Sequence, residues 1–419
     1  MKDLRSYPSL NRAFAFFCFS AVPALGSAVS VVWHGGALVC LYEILSGRRK
    51  LSRDHAMLVM TLLLFVYCLA NVVSTLWNSP TYGGIDKMLR LFTLLLFPFS
   101  YSIASISDRT TIARSVVLAS MVACYTALAV SFVQFHFLGL RAAGGAGNAI
   151  VFAFAISLAC STSLAGLLSQ QDSKLTLPLA GAVLAGWLAL FYSGTRFLWL
   201  TTLPVNLLVL FIFRHQLRRF LTPRILLLVL VGMIIAVAAA SQMIGGRLHQ
   251  LAVDWNKLAQ NQNYGTSLGA RLFMLEMAVE LIRQNPILGY GLGATNQLIE
   301  AGFREKHGLD ISYSHFHNGY LTTMVEAGIV GLLSLLGIFF AATLNAVRTL
   351  RSTADPVNRL GAAMLIVLVA TYGIGSLANK VLGHDIQDTL FIMFLIMGTY
   401  LASGTSMPST AAGAAQQPV

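Results

Sequence analysis

Apolar runs of about 20 residues, each ended by charged, glycine or proline clusters, recur along the chain, the pattern of helices that cross a ~30 Å hydrocarbon layer. They fall at 12–27, 28–46, 55–77, 87–105, 112–138, 147–169, 175–193, 196–213, 224–243, 317–346, 359–379 and 387–403, about twelve spans in all. The first two are short and must both fit between Arg12 and Arg48, so a re-entrant pair and a total of ten or eleven stay open. No small-residue cleavage site follows the first run, which reads it as a span and not as a cleaved leader. The pattern breaks once at length, over residues 244–316. A loop of that size between helices usually carries function. The division is therefore spans one to nine over 1–243, a loop with its own helix over 244–316, and the last three spans over 317–403. Residues 404–419, rich in Ser, Ala, Pro and Gln, have nothing to pack and are expected to be disordered.

Composition agrees. The chain is 56% hydrophobic and 11% charged, against roughly a quarter charged in soluble domains, which excludes a soluble fold and leaves an all-α integral membrane protein. The net charge of +12 lacks the basic faces with interleaved aromatics that bind nucleic acid. Its arginines and lysines instead gather at span ends. With both termini in the cytoplasm, the short loops carrying Arg48, Arg49, Lys50 and Arg53, and Arg214, Arg218, Arg219 and Arg224, are cytoplasmic. The long loop 244–316 then lies outside. The five cysteines Cys18, Cys40, Cys68, Cys124 and Cys160 sit within or beside apolar runs, without metal or redox spacing. No internal repeat or matched pair of broken helices appears, which weighs against an inverted-repeat transporter.

Five basic residues, Lys87, Arg90, Arg141, Arg196 and Arg271, fall on the outer side at or near span ends, where positive-inside topology does not explain them. Snorkelling to headgroups accounts for one such residue more easily than for five. An anionic ligand at the outer leaflet would account for all of them. Arg196 follows Ser193-Gly194-Thr195, with Thr195 expected to cap the eighth span and Arg196 to stand beside free backbone donors. Arg141 lies in the Gly-rich stretch GLRAAGGAGNA. Residues 271–284 read as an amphipathic helix ended by Pro286. Its wheel groups Glu276, Glu280 and Arg283 on a polar face, pairs Glu280 with Arg283, and turns Arg271 inward between Ala278 and Ile282. The GxGxG within NPILGYGLGATN has no preceding strand and is read as turns.

His315, His317 and Asn318 open the tenth span. At the first turn of a helix the positive dipole end and nearby arginines disfavour imidazolium, so His317 is expected to be a neutral histidine able to take a proton. His315, two positions earlier, is expected to point away from it, which with no third ligand at useful spacing argues against zinc. No DxD-type pair offers a divalent cation a seat, leaving arginines to hold an anionic donor.

The successive motifs RAAGGAGNA, SGTRFLW, the Arg271 helix leading into NPILGYGLG, and SHFHNGYLTTMVEAGIVG resemble those of bacterial O-antigen ligases and related polymerases, across roughly residues 80–340. The single long loop and the span count look like the ligase pattern. The resemblance implies an inverting, C-type membrane glycosyltransferase of the bacterial inner membrane, working without metal or cofactor on the periplasmic face. It would move O-antigen polysaccharide from undecaprenyl pyrophosphate to a sugar hydroxyl of lipid A–core. Carried onto this chain, Arg196 and Arg271 hold the pyrophosphate, with Arg141, Arg90 and Lys87 as further contacts. His317 is the essential histidine, supported by Asn318 and His315. A polymerase that joins lipid-linked repeats, and a flippase that binds the same lipid without forming a bond, are the competing readings.

Overall fold

The computed structural model describes residues 7–169, 172–217, 253–260, 264–380 and 382–405. The expected span at 224–243, the start of the long loop and the tail from residue 406 lie outside the described residues. What is described is helical, with no strand. In chain order the helices are α1 (Tyr7–Ser20), α2 (Ser27–Leu45), α3 (His55–Tyr82), α4 (Ile85–Ala104, opening as a 3₁₀ turn over Ile85–Leu91), α5 (Arg109–His136), α6 (Ala149–Ser169) and α7 (Ser173–Ser193). They continue with α8 (Arg196–Ile212), α9 (Ser267–Gln284), α10 (Ala294–His307), α11 (Gly319–Ser352), α12 (Pro356–Gly375) and α13 (Asp385–Ser403).

Among the described residues nine helices are long and apolar enough to cross a membrane, and α8 is a shorter apolar helix. The chain is an all-α integral membrane protein. The run expected as one span at 12–27 is broken at Ala21, where α1 stops and a four-residue turn, Val22–Leu25, begins. Pro23 and the positive φ of Gly26 (52°) prevent a continuous helix there.

The helices sort by what they touch. α6 and α13 are each buried over 94% of their apolar window, whereas α2 is buried over 28% and α3 and α7 over 33%. A helix apolar all round belongs in the middle of a bundle, and α6, with the sequence AIVFAFAISLACSTSLAGLLS, has the small residues that let neighbours approach. On α3 the lipid-facing side chains include Leu62, Leu69 and Trp77.

Polar contacts fix the two ends of the bundle. At one end Asn11 donates to the Ile103 carbonyl at 2.7 Å, Tyr101 to Asp54 at 2.7 Å, and Asn358 to the Ala402 carbonyl at 3.0 Å. This end holds the starts of α1, α3, α5, α7 and α12, three of them capped by Asp108, Asp172 and Asp355. Arg48, Arg49, Lys50, Arg53, Arg109 and Lys174 also lie here. The opposite end gathers the last turns of α3, α5, α7 and α12 and the first turns of α4, α6, α8, α11 and α13. The candidate site residues Lys87, Arg90, Arg141, Arg196, His315, His317 and Asn318 belong to that second end, and Arg271 to α9, which packs against α11.

Candidate functional site

The loop between α9 and α10 is sewn into a break in α11. Gly328 has φ 64° inside that helix, which interrupts the regular ladder and frees carbonyls one turn earlier. The loop fills them: the Tyr290 N–H donates to the Val325 carbonyl at 2.7 Å and the Gly291 N–H to the Glu326 carbonyl at 2.9 Å. In return the Ile329 N–H donates to the Pro286 carbonyl at 2.9 Å. A Cβ on Gly328 would stand 1.9 Å from the Ile287 carbonyl oxygen, so only glycine fits. The Ser74 hydroxyl, from α3, also reaches the Glu326 carbonyl at 2.7 Å. The glycines of NPILGYGLG do make turns, with positive φ at Gly289, Gly291 and Gly293, and their placement locks loop, α3 and α11 together.

The histidines lie just before α11. Its cap is Asn318, whose side chain accepts from the Leu321 N–H at 3.1 Å, so His317 precedes the helix and does not sit in its first turn. His317 has φ 50°, the sole positive φ at a non-glycine among the described residues. Such a conformation costs on the order of 1–3 kcal/mol and is found where surrounding structure imposes it for function. Its effect here is geometric. The chain doubles back, and the His315 and His317 rings come to 4.8 Å, with Tyr313 edge-on to His317 at 5.2 Å. The expectation that the two histidines diverge fails because it assumed helical spacing where the backbone turns. His315 is held by Asn379 at 2.6 Å and Ser314 at 2.9 Å.

Both imidazoles are pushed toward the neutral form. Burial, then the neighbouring His315, then the charge of Arg271 push the His317 pKa down to about 4. Burial also lowers that of His315, with Lys380 adding to it against the opposing effects of Asn379 and Glu326. Arg271 itself is exposed, not packed on the inner face of α9, which buries Ala270, Phe273, Met274, Met277, Ala278 and Leu281. It is nonetheless close enough for its field to act on His317. Glu280 pairs with Lys306 of α10 at 2.6 Å in place of the expected Arg283, because α10 packs back along α9.

The remaining basic residues form two groups. Arg141 donates to the Ser193 carbonyl and, at 2.8 Å, to Thr195 Oγ1. Thr195 stands at the cap position of α8 but does not cap it; its hydroxyl turns to the Ala149 carbonyl at 3.1 Å. Arg141 therefore braces the turn on which Arg196, half-buried, begins α8. Lys87 and Arg90, from the 3₁₀ turn of α4, face a cavity of about 430 Å³ that His315 also lines. Arg90 donates to the Gly383 carbonyl at 2.7 Å.

That cavity exposes what sequence reasoning missed. Its other polar walls include Glu326, Asn379, Lys380, His384, Gln387 and Asp388. Glu326 is 3% exposed and accepts from Lys380 at 2.5 Å, Thr295 at 3.1 Å and the Gly293 N–H at 3.4 Å. A carboxylate in the middle of an apolar run is itself a signal of a functional or partnered group, and Glu326 and Asp388 both carry it. Lys380 sits at a span end on the same side as the five basic residues singled out from the sequence.

Part of the chain resembles known proteins. Residues 180–336, from within α7 to beyond the kink of α11, match the O-antigen ligase family. A curated protein of Haemophilus influenzae, described as uncharacterized, is 23% identical over 185 residues, covering 44% of this chain. The match spans 46% of that relative, a little under half its length.

Proposed function

We propose that this chain, an O-antigen ligase family member through residues 180–336, transfers O-antigen polysaccharide from undecaprenyl pyrophosphate to a sugar hydroxyl of lipid A–core. The site faces the periplasm from the inner membrane, since the basic loops mark the opposite end as cytoplasmic. The observation that carries the reading is the His315–His317 pair, 4.8 Å apart and held neutral beside Arg271, at the end of the bundle where Lys87, Arg90, Arg141 and Arg196 also stand.

A sugar pyrophosphate is already activated, and its departure mainly needs stabilisation of the charge that develops on the leaving oxygen. Arg196 and Arg271 hold the pyrophosphate, with Arg141, Arg90 and Lys87 supporting them. The acceptor hydroxyl oxygen attacks the anomeric carbon from the face opposite the leaving group, and the bond to pyrophosphate breaks with its electron pair. Configuration inverts, and the hydroxyl proton passes to His317. Anion binding beside Arg271 cancels one of the charges that depress the His317 pKa, so the base strengthens when the donor arrives. Such a base contributes about 10²–10⁴ in rate. Cationic side chains fill the role a divalent metal has in other sugar-pyrophosphate enzymes. Asn318 and His315 hold the His317 turn in place.

The test supplies purified protein in liposomes with lipid-linked polymer and core-bearing lipid A. A single join, giving polymer-bearing lipid A–core, is the expected product. Growth of the polymer on its own lipid carrier would make the protein a polymerase, and translocation without a new bond would make it a flippase.

A further inference from the structure

The cavity beside the histidines has one wall that the proposed function does not use. Lys380, from the α12–α13 connection, reaches into it and is paired with Glu326 at 2.5 Å, while Lys87 and Arg90 line the same cavity. Glu326 is held independently of that lysine by Thr295 and the Gly293 N–H, so the carboxylate stays in place when Lys380 moves. The lysine side chain is 22% exposed and the glutamate 4%, which makes Lys380 the member of the pair that a ligand can reach. Further in, Gln387 is 2% exposed, lines the same cavity, and has an amide nitrogen without a hydrogen-bond partner among the described residues. A buried donor left unmatched beside an open cavity is poised for an oxygen supplied by a ligand.

We propose that Lys380 and Gln387 are substrate-contacting residues: Lys380 exchanges Glu326 for a phosphate oxygen of the lipid-linked donor, and Gln387 donates to an oxygen of the same head group. This rests on the reading of Lys87 and Arg90 as donor contacts. Glu326 is then a positioning residue that stores the lysine in the empty site and competes with the phosphate for it.

The experiment measures binding of undecaprenyl pyrophosphate bearing no sugar to the full chain in detergent, for Lys380→Gln, Glu326→Gln, Gln387→Leu, Lys87→Gln and Arg90→Gln. Loss of a charge-assisted contact is expected to weaken binding about tenfold in Lys380→Gln, and several-fold in Gln387→Leu. Glu326→Gln should tighten it, because the competing carboxylate is gone. A merely structural ion pair predicts the same loss from either half, so weaker or unchanged binding in Glu326→Gln overturns the exchange, even where Lys380→Gln yields no folded protein. Parent-like binding in Lys380→Gln, or in Gln387→Leu, removes that residue from the site. If Lys87→Gln and Arg90→Gln lose binding while those variants do not, only this inference falls. If none of the five changes binding, the placement of the donor in this cavity falls with it.

Discussion

Arg141 donates to Thr195 Oγ1 at 2.8 Å, and with its bond to the Ser193 carbonyl this contact joins the Gly-rich stretch after α5 to the turn that launches Arg196 into α8. Two residues 54 apart in sequence are thereby part of one support. Lysine at 141 carries its donors on one nitrogen and cannot span the Ser193 carbonyl and the Thr195 hydroxyl as the guanidinium Nε and Nη2 do. Arg141→Lys is expected to lower kcat/KM for transfer about tenfold or more. Thr195→Val, which keeps the shape and removes the acceptor, should fall in the same direction and add little to Arg141→Lys in the double variant. Full additivity in that cycle would show that the two act separately.

Gly293 has φ 81°, and a Cβ there would lie 1.9 Å from Lys87 Nζ. Gly293→Ala should therefore cost about 1–2 kcal/mol of stability through backbone strain and, in addition, displace the lysine and weaken donor binding. Gly308 supplies the comparison, since it has φ 62° and nothing within 4 Å of an added Cβ. Gly308→Ala should show the thermal shift without the binding defect. Equal donor affinity in both variants would mean that Lys87 does not contact the donor.

The pH dependence follows from His317. A base must be neutral, so activity should persist at acid pH and be lost as the pH falls through about 4 in the free enzyme, well below the usual histidine range near 6.5. Because the folded pKa is depressed, the group favours folding fully above about 6.5, and that contribution is lost as pH falls from there toward 4. Replacing Arg271 by Gln removes one of the lowering influences, so the acid limb of kcat/KM should move upward. An acid limb that stays put would take Arg271 out of the neighbourhood of the histidine.

The fold was largely legible because long apolar runs have one solution in a bilayer, and α3, α5, α6, α7, α11, α12 and α13 stand within a few residues of their expected places. The geometry around the candidate residues was less legible. Helical spacing was applied to His315 and His317, yet Asn318 is the cap and the residues before it are free to take a left-handed turn. Thr195 carries the side chain of a capping residue, but Arg141 and the Ala149 carbonyl compete for its hydroxyl. Glu326 escaped notice because its partners, Lys380 and Thr295, lie 54 and 31 residues away, on the α12–α13 connection and in α10.

That kink makes its own prediction. Gly328→Ala forces a Cβ against the Ile287 carbonyl and should expel the 285–293 loop from α11, with loss of folded protein or of all transfer. Near-parent expression and activity in this variant would mean that the loop and helix can separate without harm.

The most direct test of the account is a two-part assay of His317→Ala in liposomes, reading retention of lipid-linked polymer and formation of polymer-bearing lipid A–core. The predicted result is near-parent retention of donor with transfer reduced by about 10²–10⁴, because the arginines hold the donor and the histidine acts on the acceptor. Transfer at the parent rate by His317→Ala would contradict it, leaving donor activation by cationic side chains to carry the reaction without a base.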